Sequence, residues 1–82
     1  MNILDSLRDL LEEIMPYAEP ENITYETRLR EDLGMSDMAI AATAMTVESR
    51  FGVRFPKDSG IQTVGDIAEY IDKYEDYEVF KD

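Results

Sequence analysis

Eighty-two residues suffice for one small domain, and the lack of cysteine and histidine excludes disulfide frameworks, thiolate zinc sites, Cys- or His-based nucleophile systems and the usual neutral-pH general base. Nineteen acids against eight bases leave a net charge of −11, the wrong sign for gripping a nucleic-acid backbone. No apolar run approaches the roughly 18 residues of a membrane span and no basic-then-apolar leader opens the chain, so the expectation is a single acidic domain over 1–82, cytoplasmic, monomeric and bound to neither nucleic acid nor membrane.

The first predicted helix starts after Asn2, a plausible N-cap with Asp5 three residues on, and stops at Pro16, which cannot continue it. Ile3, Leu4, Leu7, Leu10, Leu11, Ile14 and Met15 form one stripe of 3.6-residue period. A long connection follows, about residues 16–35, punctuated by Pro16, Pro20 and Gly34. Connections longer than about 12–15 residues are uncommon unless they pack or carry function. Ile23, Tyr25, Leu29 and Leu33 are its expected anchors, with a short helical turn at Arg28 to Asp32.

Ser36 is the natural N-cap of a second helix reaching about Arg50. Its apolar set is Met38, Ala41, Ala42 and Met45, then Ala44, Val47 and Phe51. Phe51 to Pro56 reads as a Gly-terminated helix followed by an extended apolar crossing. Lys57 to Gln62 leaves room for a turn or two of helix at most. Thr63-Val64-Gly65-Asp66 has the form of a capping box, and Val64, Ile67, Ala68 and Ile71 supply the core stripe of a last helix. Tyr74, Tyr77 and Phe80 continue at spacing three, but Glu75, Asp76 and Glu78 crowd that end. Acids near a helix C-terminus oppose its dipole, so 75–82 reads as a frayed tail.

Charge is spread unevenly. Residues 1–27 carry seven acids and one base, and 58–82 carry eight acids and two bases. Between them 28–57 hold four acids and five bases, a neutral middle between two acidic flanks. The acid pairs Glu12-Glu13 and Glu75-Asp76 lie in no calcium-loop pattern and read as solvated rather than metal-binding. No constellation for catalysis is present.

Three segments in register resemble the acyl carrier protein family. Glu31-Asp32-Leu33-Gly34-Met35-Ser36-Asp37-Met38 is similar to the family's modification-site region. Phe51-Gly52-Val53-Arg54-Phe55-Pro56 resembles its segment after the second helix, and Gln62 to Ile71 resembles the entry to its last helix. The resemblance implies an all-α four-helix bundle with a long loop between helices one and two and a short third helix. It implies a non-enzyme that carries thioester-bound acyl groups between acyl-handling enzymes, in synthesis of the fatty-acid or polyketide type. It also implies a 4′-phosphopantetheine arm, placed by a phosphopantetheinyl transferase on a serine at the start of helix two.

That serine is missing. Counting on from Asp32-Leu33-Gly34, Asp37 stands at the attachment position, and a carboxylate yields no stable phosphodiester, so the chain as written carries no arm there. Three readings stay open: a carrier-like domain with another task, a site shifted to Ser36, or aspartate substituted for serine in an otherwise functional carrier. Moving the site by one residue turns it by about 100° around the helix axis. Ser36 also reads as a simple N-cap, and an acid at 37 favours the helix dipole by about 0.3–1 kcal/mol.

The family usually displays acids along helix two; here no charge occurs between Asp37 and Glu48. Weak steering is expected at this face, with Met38, Ala39, Ala42, Thr43, Thr46 and Arg50 reading partners. A non-modified interaction module using this face is the alternative function. Met35, Met38 and Met45 read as core, with an adaptable acyl cavity as the other reading.

Overall fold

The computed structural model describes residues 2–56 and 59–81, with side chains described as far as Lys73. Three α-helices and one 3-10 turn account for its regular structure, and the described residues contain no strand. Helix α1 spans Ile3–Ile14, and Asn2 caps it by accepting the Asp5 N–H at 2.8 Å. Met15, at φ −122° and ψ 80°, leaves the helical region just before Pro16 and ends it. Leu7, Leu10 and Leu11 are buried, while Ile3, Leu4, Ile14 and Met15 pack half-buried at the edges of the core.

The connection from α1 carries the 3-10 turn Pro20–Asn22 and then folds onto the body of the protein. Ile23 and Leu29 are fully buried, as the sequence leads one to expect, and Leu33 is half-buried. Tyr25 differs: its ring is exposed, and its anchor is main chain instead, the carbonyl accepting the Gly65 N–H at 2.8 Å. With Leu29 N–H to Gln62 O at 2.9 Å and Val64 N–H to Thr27 O at 3.0 Å, this forms a short antiparallel pairing between the loop and the approach to the last helix. Arg8 adds a tie from α1, its Nε donating to Ile23 O at 3.0 Å. The buried stretches of the loop around Ile23, Thr27 and Leu29 are thus tied by main-chain bonds, as buried backbone polar groups demand.

Helix α2 spans Asp37–Phe51 and ends on Gly52, whose φ of +69° is the left-handed C-cap geometry that favours glycine. The apolar crossing follows, with Val53 buried, Phe55 packed against Tyr70 in a tilted contact at 4.8 Å between ring centroids, and the Phe55 N–H held by Glu48 Oε2 at 2.7 Å. Helix α3 spans Val64–Lys81. Its capping box is complete: Thr63 Oγ1 accepts the Asp66 N–H, and Asp66 Oδ2 accepts from the N–H of both Thr63 and Gln62. Val64, Ile67, Ala68 and Ile71 all face the core.

Of the short third helix expected at 57–62, residues 59–62 are irregular, and Lys57 and Asp58 lie outside the described residues. The side chains of Tyr74, Tyr77 and Phe80 lie outside them as well. The α3 backbone runs helical through Lys81, past the point at which the sequence reads as frayed. No helix of the described residues is long and apolar enough to cross a membrane.

Candidate functional site

The start of α2 is built from the turn that precedes it. Arg28 closes this turn through Asp32: the Arg28 backbone N–H donates to Asp32 Oδ2 at 2.8 Å, and its guanidinium reaches both carboxylate oxygens at 3.0 and 3.2 Å. These bonds, the side-chain one foremost, hold the Asp32 carboxyl below its ordinary value and raise Arg28. Gly34 N–H donates to Arg30 O and Met35 N–H to Leu29 O, each at 3.0 Å. Met35 is thereby drawn into the core, and the chain turns outward at Ser36.

Ser36 caps α2, its Oγ accepting the Ala39 N–H at 3.1 Å. Asp37 then opens the first turn with a side chain that is 84% exposed, ion-paired to Arg30 through Oδ1 and Nη2. Residue 37 therefore points to solvent at a rigidly based helix start. Its neighbour's hydroxyl is engaged in the cap, as the sequence suggests for Ser36.

The expected partner face needs correction. Thr43 is fully buried, its hydroxyl donating to Ala39 O at 2.8 Å and contacting Met35 Sδ at 3.7 Å. A threonine can fill a core slot in a helix because its hydroxyl is satisfied by the carbonyl one turn back. The buried line on α2 is thus Thr43 and Val47, with Ile40 and Phe51 packed beside them. Met38 and Ala42, read both as part of the apolar stripe and as partner-facing, and Ala41 and Met45, read only as part of the stripe, all face solvent, Met38 82% and Met45 68% exposed. Since Met35 is buried and these two are not, the three methionines line no common cavity. Ala39 is half-buried against the core, and Thr46 is half-buried with its hydroxyl bonded to Ala42 O at 2.8 Å.

Arg50 is exposed but not free. It pairs with Glu13 on α1, an interaction whose hydrogen bond lowers the Glu13 carboxyl and raises Arg50. Arg30, absent from the sequence-derived site, is the residue the structure adds. The pair spans seven positions but shares no helix, since α2 begins only at Asp37, and the turn closed by Arg28 and Asp32 brings its members together. Beside it a cavity of about 220 Å³ is lined by Arg28, Arg30, Glu31, Ile40, Ile61, Gln62 and Thr63.

Comparison with known proteins bears on this helix start. Residues 5–71 match a family described as the phosphopantetheine attachment site. The chain is 32% identical over 76 residues to the meromycolate extension acyl carrier protein of Mycolicibacterium aurum, covering 90% of this chain and 77% of that protein. It is 32% identical over 75 residues to an acyl carrier protein of Rhodococcus erythropolis, covering 89% and 81%, and 30% identical over 74 residues to one of Wolinella succinogenes, covering 88% and 96%.

Proposed function

This chain belongs to the acyl carrier protein family, and from that premise we propose that residue 37 is its attachment position. As a member it is a carrier of acyl intermediates; the family works with acyl-handling biosynthetic enzymes, and 4′-phosphopantetheine is the family's prosthetic group. The observation that supports residue 37 is its place: an outward side chain, 84% exposed, on the first turn of a helix whose cap and preceding turn are both hydrogen-bonded.

The residue there does not fit the group. Phosphopantetheinyl transfer needs an alcohol oxygen to attack a phosphoanhydride and remain as an ester, and Asp37 offers a carboxylate. The Ser36 hydroxyl accepts from the helix and sits about 100° away around its axis. The chain as it stands is therefore an unloaded carrier at this position, and Asp37→Ser is the change that opens it. The reading extends to a phosphopantetheinyl transferase as partner and to a monomeric, cytoplasmic protein forming one domain over 1–82.

The test is intact-mass and peptide-mapping analysis after incubation with coenzyme A and a promiscuous transferase. The unaltered chain gains no mass, while Asp37→Ser gains one phosphopantetheine, mapped to residue 37. Loading of the unaltered chain at Ser36, or failure of a folded Asp37→Ser variant to load, overturns the assignment.

A further inference from the structure

Helix α2 and the residue before its cap carry three of the chain's five methionines, at 35, 38 and 45. Their sulfurs have opposite surroundings. Met35 is 4% exposed and sits in the core, its Sδ 3.7 Å from the Thr43 hydroxyl. Met38 and Met45 are 82% and 68% exposed. They lie seven positions apart, about two helical turns, and so share one face. The residues between them on that face, Ala41 and Ala42, are also exposed and end at Cβ, too short to cover either thioether. No charged residue lies between Asp37 and Glu48, so this face owes its polarity to what the two sulfurs are.

We propose that Met38 and Met45 form a reversible oxidation site, taken to the sulfoxide by peroxides, that turns the outer face of α2 from apolar to polar while the core stays reduced. A thioether lone pair attacks one peroxide oxygen; the S–O bond forms as the O–O bond breaks. The departing hydroxide takes the proton of the transferred oxygen and leaves as water. Sulfur gives up two electrons and the peroxide accepts them. An apolar, adaptable side chain becomes a polar, chiral one that sulfoxide reductases can return. At 38 and 45 the new oxygen meets solvent and needs no partner in the protein. At 35 it would stand in the core, where an unpaired polar atom is costly, and burial admits peroxide there only when the structure opens. The fold thus exposes the two sulfurs whose oxidation it tolerates and shields the one whose oxidation would loosen it. The inference concerns side chains that this chain carries as it stands and does not depend on residue 37.

The test is limiting hydrogen peroxide on the folded full chain, followed by trypsin and tandem mass spectrometry. Met35, Met38 and Met45 fall within one tryptic peptide, 31–50, so its fragment ions rank them against each other. Met38 and Met45 gain oxygen at least about tenfold faster than Met35 in the folded chain, and in urea the three react alike. The protein oxidised at both positions keeps its Tm, since both are exposed, and elutes earlier in hydrophobic-interaction chromatography. Methionine sulfoxide reductases of both epimer specificities restore the original retention. With Met38→Leu and Met45→Leu together, which keep the face apolar without sulfur, peroxide leaves retention unchanged. The inference is overturned if Met35 reacts as fast as the other two in the folded chain, or if the ranking persists in urea. It is equally overturned by retention that ignores the two sulfoxides or that the reductases do not restore.

Discussion

Gly65 sets two effects of opposite sign against each other. It lies in the first turn of α3 with an ordinary backbone, so alanine there is conformationally allowed and gains about 0.5–1 kcal/mol of helix propensity in a mid-helix setting. Against this, a Cβ at residue 65 would stand 2.8 Å from the Tyr25 carbonyl oxygen, the same atom that accepts the Gly65 N–H. The neighbour that must yield is main chain, and it is tied down. Thr27 O accepts from Val64, Thr24 N–H is held by Thr27 Oγ1 at 2.8 Å, and Ile23 is buried. Overpacking of this kind costs about 1–3 kcal/mol, while the propensity gain is smaller than its mid-helix value in a first turn. Gly65→Ala therefore destabilises by about 1–2 kcal/mol net, a fall in Tm of roughly 4–15 °C for a domain of this size. Urea denaturation followed by circular dichroism gives the free energy, and amide exchange locates it. Protection falls at Leu29, Val64 and Gly65 before it falls in α1. An unchanged or raised Tm would show that the loop yields freely and that the pairing does not hold it.

Three further outcomes follow from the same structure. Ser36→Ala removes the acceptor for the Ala39 N–H and lowers stability by about 1 kcal/mol whether or not residue 37 can be loaded, read as a drop in Tm; an unchanged Tm contradicts the cap. Asp32 has a folded pKa below its unfolded one because Arg28 bonds the ionised form, so its contribution is complete above the ordinary carboxylate range near about 4 and is lost as pH falls through the depressed value. Asp32→Asn accordingly flattens the stability profile on the acid side of about pH 4, and an identical acid limb in both proteins refutes the pairing. Moderate salt raises Tm, since screening relieves repulsion in a chain of net charge −11, and a salt-independent Tm shows that repulsion unimportant.

Where the sequence was legible, one residue type did one thing. The α1 stripe, the Ser36 cap and the Thr63–Asp66 capping box each combine a period or an end signal with a residue that has few alternatives there. Helix α2 was misread in phase because apolar and small residues surround it. Ala39, Ala41, Ala42 and Ala44 fit either face, and a stripe drawn through Met38, Ala41, Ala42 and Met45 keeps a helical period as well as the true one through Ile40, Thr43, Val47 and Phe51. Hydrophobicity ranks methionine above threonine for the core; what decides is that Thr43 satisfies its own hydroxyl and leaves the flexible methionines outside. Tyr25 was expected as an anchor and is one, but through its carbonyl, to which side-chain chemistry gives no clue. The Arg30–Asp37 pair depends on a turn closed by other residues, so neither member announces the other.

That outward phase of α2 changes what partner recognition must rest on. Met38 and Met45 stand on one side of the helix with Ala41 and Ala42 between them, all exposed, and no charged residue lies between Asp37 and Glu48. Arg50, the nearest cation down the helix, is engaged by Glu13. A partner docking here gains by burying thioether and methyl surface, about 1.5–3 kcal/mol for each methionine fully covered, with little from charge. Met38→Glu with Met45→Glu, made on Asp37→Ser, should leave Tm nearly unchanged, because exposed positions tolerate substitution to within about 0.5 kcal/mol. The same change should cut kcat/KM for transferase loading at least roughly tenfold, since about 1.4 kcal/mol of lost transition-state binding suffices for that. The acidic flanks at 1–27 and 58–82 make the opposite demand: if they steered the encounter, loading would fall steeply with salt and ignore the methionines. A rate that survives both glutamates and collapses in salt would move recognition off α2 altogether; a rate indifferent to salt and lost with the methionines leaves the neutral middle of the chain as the surface that partners read.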